Sequence, residues 1–128
     1  MGVSAVQVSP EPQRQPVWRR YTAYEVKKTG RNVFARGITL GRAPNNDVWL
    51  SMPEVSHFHA WLVAENGAWR VFDAQSSNGT FVNNNQAKPG ADQGLLMRPQ
   101  DELRLGDIAF AFFDGESLHR WLTAQRSR

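Results

Sequence analysis

The tightest constraint on the fold is a rhythm. Short apolar, aromatic-rich runs alternate with clusters of Gly, Asn, Asp and Ser over most of the chain. Such runs are too short for helices of ordinary length, whereas strands need only about four to eight residues. The sharpest instance is the run 58–64, followed by Asn66-Gly67 and a second run, 68–72. Asn-Gly between two apolar runs predicts a hairpin, because both central turn positions require positive φ. On its second strand, period two puts Trp69 and Val71 on one face and Phe72 on the other.

The same reading places strands at 21–26, 33–35, 38–40, 48–50, 80–82, 102–105 and 108–113, with a short apolar piece at 95–97. Turns are expected at 28–32 and 44–47, and near Asn78-Gly79 and Gly106-Asp107. Residues 84–94, with Pro89-Gly90, read as a polar loop. Ile108, Phe110 and Phe112 share one face, and the tryptophans at 49, 61 and 69 are expected in the core. Asp114 reads as a helix N-cap, and Leu118, Trp121 and Leu122 recur at helical spacing. The expected fold is therefore all-β: a β-sandwich of short strands with a short C-terminal α-helix at about 115–125. Residues 1–17 hold three prolines and little that packs, which predicts a disordered N-terminal leader or linker. Residues 18–128 form the expected domain.

Composition narrows the function. At 128 residues the chain is long enough for one domain with its own core. The net charge of +3 would suit a nucleic-acid binder only if it lay on the fold. Arg14, Arg19 and Arg20 against Glu11, and Arg120, Arg126 and Arg128 against Glu116, put it at the two ends. The body is left nearly neutral, so no nucleic-acid partner is expected. No apolar run reaches membrane-spanning length, and no secretory signal is expected. The absence of cysteine is compatible with a reducing compartment, and a cytoplasmic location is expected.

Three loops carry the polar chemistry: Gly41-Arg42, then Ser56-His57-Phe58-His59, then Ser77-Asn78-Gly79. Together they offer a guanidinium, hydroxyls, imidazoles and an amide, with no thiol and no loop bearing two carboxylates. These groups donate hydrogen bonds to an anion and are poorly suited to bond cleavage. His57 and His59 lack a third ligand nearby, so no metal site and no cofactor are expected. A triad of Ser56, His59 and Asp73 would lack a nucleophile elbow, so no enzyme is expected.

Gly-Arg, then Ser-x-x-His, then Ser-x-Asn-Gly-Thr, then a paired Asn resembles the forkhead-associated (FHA) domain over about residues 21–113. The resemblance implies a sandwich of about eleven strands whose loops at one end bind phosphothreonine peptides. It implies that Arg42 clamps the phosphate, a task suited to a planar fork of donors. Ser56 would donate its hydroxyl, and His57 stands where the family commonly has Arg, Lys or Asn. Ser77 would line the phosphothreonine pocket and Asn78 would bond the peptide backbone. Glu54 is a candidate contact for a residue downstream of the phosphothreonine. Gly41, His59, Asp73, Gly79 and Asn83 would be framework, with His59 bracing the loops by donating to a backbone carbonyl. Asn83-Asn84 stands where the family usually has Asn-Gly, a small cost because Asn tolerates the left-handed conformation. The implied function is a phosphothreonine-dependent adaptor in Ser/Thr kinase signalling. Its partner would be a phosphothreonine-containing protein such as a kinase or its substrate. The alternative is an FHA scaffold that serves assembly without phosphate.

Overall fold

Eleven strands and one helix make up the residues that the computed structural model describes, 3–8, 21–90 and 92–126. They run β1 (Val3–Val8), β2 (Tyr21–Val26), β3 (Ile38–Gly41), β4 (Val48–Trp49), β5 (Ala60–Glu65) and β6 (Ala68–Asp73). Then come β7 (Thr80–Val82), β8 (Asn85–Gln86), β9 (Leu95–Met97), β10 (Glu102–Leu105), β11 (Ile108–Asp114) and α1 (Gly115–Arg126). One sheet has the order β2-β1-β11-β10-β7-β8 and the other β4-β3-β5-β6-β9. Only the β3–β4 pair is parallel among the described strand pairs.

Turn chemistry sets the register. Asn66 and Gly67 have φ of 49° and 80°, and the hairpin closes with Glu65 opposite Ala68. Asn83 and Asn84 take φ of 48° and 69° between Val82 and Asn85, so asparagine fills both left-handed positions of the β7–β8 turn. The Asn83 side chain also accepts from the Glu102 amide at 2.9 Å, which ties the turn to β10.

The core lies between the sheets. Leu40, Leu62, Val71 and Met97 face Val82, Leu103, Leu105, Phe110 and Phe112, all buried. Trp69 meets Phe112 edge-on at 6.0 Å, and Tyr24 meets Phe110 at 5.9 Å. Burying a side chain of this size is worth roughly 1.5–3 kcal/mol, so both inner faces are strongly specified. Phe113, on the outer face of its strand, is also buried because α1 covers it with Trp121 at 5.3 Å. Asp114 caps this helix: its carboxylate accepts from the Ser117 amide and the Ser117 hydroxyl accepts from the Asp114 amide.

Several expectations need correction. Residues 3–8 are no disordered leader: β1 is inserted between β2 and β11, with Val3, Ala5 and Val6 buried. Their three valines favour a strand, a signal outweighed by the proline-rich stretch that follows. Residues 9–17 of the expected leader, and Trp18, lie outside the described residues. Residues 33–35 form no strand, and Val33 is fully exposed. β5 starts at Ala60, two residues later than the apolar run, and β8 falls inside the expected polar loop. The helical stripe is shallower than expected: Leu118 and Trp121 are half-buried and Leu122 is exposed.

The tryptophans also divide. Trp69 packs on the core, whereas Trp49 is half exposed. Trp61 lies on the outer face of the smaller sheet, stacked on Phe72 at 4.0 Å and covered by the Arg36 guanidinium at 4.6 Å. Among the described residues no helix is long and apolar enough to cross a membrane.

Candidate functional site

The β3–β4, β4–β5 and β6–β7 loops meet at one end of the sandwich, joined by backbone and side-chain hydrogen bonds. The Arg42 amide donates to Ser56 O at 2.9 Å, and Arg42 Nε donates to Val55 O at 2.9 Å. Asn46, buried in the β3–β4 loop, donates through Nδ2 to Ala43 O and to His57 O. This close approach requires glycine at 41, where a Cβ would stand 2.2 Å from His57 O and 2.7 Å from Asn46 Nδ2.

Behind Arg42 the β3–β4 loop hangs on Asp47, whose side chain is wholly buried. Its carboxylate accepts from Lys28 Nζ at 2.9 Å, from the Thr29 amide and hydroxyl, and from the Thr39 amide. Burial alone would raise this carboxyl, but the bonds from Thr29, Thr39 and Lys28 outweigh it and hold its pKa at about 2. A folded value below that of the unfolded chain adds stability above about pH 3.9, lost as the pH falls towards 2.

His59 braces the other two loops. It is fully buried just before β5; its Nδ1 accepts from the Ser56 amide at 3.0 Å and its Nε2 lies 2.8 Å from Gly79 O. Only the neutral Nε2–H tautomer satisfies both contacts. The expected bond from this imidazole to a backbone carbonyl is therefore present, and Gly79 takes the expected positive φ, 89°. Beside it, buried Asp73 accepts from the hydroxyls of Thr80 and Ser76 at 2.7 and 2.5 Å, and Ser76 Oγ accepts from the Gly79 amide.

Burial pushes the His59 imidazole below its ordinary pKa, against opposing pulls from the Gly79 carbonyl and from Asp73. The unfolded chain takes up a proton near pH 6.5, whereas the folded ring resists it. The stability that His59 adds is therefore complete above about pH 6.5 and declines as the pH falls below it. Melting temperature should fall between about pH 7.5 and 5, and His59→Gln should flatten this slope while lowering stability at the upper end. An unchanged slope in the variant would assign the proton uptake elsewhere.

With the frame satisfied internally, certain donors remain for a ligand. Ser56 Oγ accepts from the Ser77 amide at 3.0 Å, which leaves its own hydroxyl hydrogen to donate. Among the described residues no hydrogen bond engages the two terminal nitrogens of half-buried Arg42. Asn78, exposed, donates through Nδ2 to Glu54 O at 2.9 Å, and its Oδ1 is available to accept from a backbone amide. The Ser77, His57 and Glu54 side chains are exposed on the same loops. The arrangement offers a fixed cation and an aligned hydroxyl to an anion, beside an amide suited to an extended peptide.

The contacts also bear on the two reactive arrangements. The His59 nitrogens meet backbone groups of Ser56 and Gly79, so the ring neither faces the Ser56 hydroxyl as a base nor offers a lone pair to a metal. Sequence reasoning missed Asn46 and Asp47, which read as turn formers; only a contact map reveals an inward-facing amide or carboxylate. Trp49 was misread as core, and its Nε1 donates to Arg42 O at 3.0 Å.

The FHA domain family model matches residues 38–106. The oxoglutarate dehydrogenase inhibitor of Corynebacterium glutamicum is 34% identical over 100 residues, covering 73% of this chain and 66% of that protein. The glycogen accumulation regulator GarA of Mycobacterium tuberculosis is 32% identical over 100 residues, covering 73% of this chain and 59% of that protein. The matched region thus spans about three fifths to two thirds of the length of these curated relatives. Among solved structures, the yeast Dun1 FHA domain in complex with a doubly phosphorylated peptide superposes with a TM-score of 0.58 at 24% identity. That match covers 88% of this chain and 74% of that one and shows a shared fold.

Proposed function

Since this chain belongs to the FHA domain family, we propose that it is a phosphothreonine-dependent peptide-binding adaptor in Ser/Thr kinase signalling. The observation that carries the reading is the pairing of donors. Arg42 is anchored through Nε with its terminal nitrogens uncommitted among the described residues, and Ser56 is oriented by the Ser77 amide to donate outward. In this reading both meet the phosphate, with His57 at its rim and Ser77 lining the threonine pocket. Asn78 fixes the peptide backbone, and exposed Glu54 favours a basic or polar residue downstream. The partner is a phosphothreonine-containing protein, a Ser/Thr kinase or its substrate, met in the cytoplasm. The names of the curated relatives, an inhibitor and a regulator, support a regulatory role without catalysis.

Calorimetric titration with matched peptides bearing threonine, phosphothreonine and phosphoserine tests the reading. Binding should need the phosphate, and phosphothreonine should bind several-fold tighter than phosphoserine, since one buried methyl is worth roughly 1 kcal/mol. Equal affinity for the two phosphopeptides would deny a threonine pocket. Equal affinity for threonine and phosphothreonine peptides would replace the reading with a phosphate-independent scaffold.

A further inference from the structure

β5 is an inner strand along only half of its length. It pairs with β6 from Ala60 to Glu65, but β3 pairs only with Ala60, Trp61 and Leu62. Among the described residues no strand flanks Val63, Ala64 and Glu65 on the β3 side, and no backbone bond joins them to residues 33–37. Glu65 and Ala68 flank a two-residue turn and so exchange both backbone bonds, and bonded pairs then alternate along the ladder. Ala64 therefore directs its N–H and C=O away from β6, towards the side that β3 leaves open. An edge of this kind invites pairing unless it is charged, bulged or covered.

An apolar groove of about 480 Å³ runs along this edge. Ala64, Trp69, Ile38 and Leu62 line one side, and Arg36 and Gly37 stand on the opposite bank. The bank is held in place, because Lys28 Nζ donates to Phe34 O at 2.5 Å and to Gly37 O at 3.2 Å. At Gly37 it closes on β5, where a Cβ would stand 2.5 Å from Leu62 O. The groove is therefore formed before anything enters it, which lowers the ordering cost of binding.

The register dictates what fits. A strand laid beside β5 puts the residue opposite Ala64 on the inner face, towards Trp69 and Ile38, both partly buried against the core. Ala64 is small, so a large apolar side chain has room there. The neighbouring residue, opposite Val63, points to the outer face. Arg36 lies on that side, with its guanidinium 4.6 Å from the Trp61 ring. Among the described residues no carboxylate pairs with it. The other neighbour faces Glu65, whose carboxylate is paired with Arg70, and gains nothing from an acid.

We propose that this edge is a docking site for an extended segment of a partner protein, added as a strand beside β5. The segment places an aliphatic residue opposite Ala64 and an acidic residue opposite Val63, within reach of Arg36. Main-chain bonds to Ala64 hold it, and the two side chains select it. The site is separate from the proposed phosphate donors. β5 starts next to His59, and Ala64 stands five residues further along, roughly 17 Å away. Binding here needs no phosphate and is independent of the phosphothreonine reading.

The test is titration of the full isotope-labelled chain with capped, unphosphorylated pentapeptides, read by amide shifts in NMR spectra. Thr-Thr-Leu-Asp-Thr and its reverse, Thr-Asp-Leu-Thr-Thr, present the same side chains in the antiparallel and parallel registers. One of the two should shift Val63, Ala64 and Glu65 and residues 36–38 while leaving Arg42 and Ser56 unmoved. Replacing its leucine by alanine should weaken binding about tenfold, the scale of a largely buried side chain. Replacing its aspartate by lysine should weaken binding to the unmodified chain and restore it in Arg36→Glu. Ala64→Pro deletes the outward N–H at an edge, where proline is tolerated, and should abolish binding. Arg36 is exposed, so the charge swap reports on the site even if the proline variant fails to fold. A phosphothreonine peptide in excess should not displace the pentapeptide. No shift at Ala64 with either peptide at millimolar concentration, equal binding of the leucine and alanine peptides, or displacement by the phosphopeptide would overturn the proposal. So would a concentration-dependent dimer of the free chain that Ala64→Pro dissociates, which would assign the edge to a second copy.

Discussion

Removing residues 1–8 is expected to unfold most of the domain. β1 pairs with β11 through Val3–Val6 and with β2 through all of its six residues. Among the described strands β2 is the outermost of its sheet, and β1 is its only partner there. Loss of β1 therefore orphans β2 and opens the edge of β11, the strand that carries Phe110 and Phe112 into the core. Buried Val3 and Val6 alone are worth about 1.5–3 kcal/mol each, before Ala5 and the ladder bonds are counted. A total loss above about 5 kcal/mol is comparable to the whole stability of an ordinary domain. Thermal melts and amide exchange of the truncated and full chains measure it. A melting temperature within about two degrees of the full chain would mean that β2 and β11 pair directly and that β1 is dispensable.

That strand also marks the limit of what the sequence revealed about the fold. Where a turn demands a particular backbone, the sequence is explicit: Asn66-Gly67 placed a hairpin, and Asp114 placed the start of the helix. Where a short strand is judged by the composition around it, the signal fails. Val3 to Val8 is rich in valine, as a strand should be, yet the prolines at 10, 12 and 16 dominate any window that includes them. The run at 33–35 errs in the opposite direction. Its apolar residues look like a strand, but Phe34 is half-buried through contacts with Phe58 and Trp61 on an outer face. Apolar character alone does not distinguish the inner from the outer side of a sheet.

At the candidate site, residues that point outward were easier to find than those that hold them. Arg42, Ser56 and Asn78 stand in short patterns with turn formers around them, and patterns are legible. Their supports act across the chain: Asn46 reaches His57, Asp47 reaches Lys28 and Thr29, and Thr80 reaches Asp73. Each is a common loop or strand residue whose importance comes from burial and from a partner between 7 and 19 positions away. His59 is intermediate. The resemblance marked it as a brace that donates to a backbone carbonyl, but its partners, the Ser56 amide and Gly79 O, lie on two different loops.

Arg42→Ala is expected to abolish phosphopeptide binding while leaving the fold in place. The guanidinium is half-buried and oriented by Val55 O, so it meets a phosphate with its geometry already set. Truncating one member of a hydrogen-bonded, partly desolvated charge pair costs about 2–5 kcal/mol, or roughly thirty- to several-thousand-fold in affinity. The fold should lose little, because the Arg42 backbone amide still donates to Ser56 O and Asn46 still ties Ala43 to His57. Arg42→Lys separates charge from shape. An ammonium keeps the charge but lacks the Nε bond to Val55 O and the planar fork, so it should recover only part of the affinity. Calorimetry on one phosphothreonine peptide, with thermal melts of all three proteins as controls, gives both answers. Full affinity in a folded Arg42→Ala protein would move the phosphate away from these loops. Lysine binding as tightly as arginine would mean that the site recognises charge without the fork.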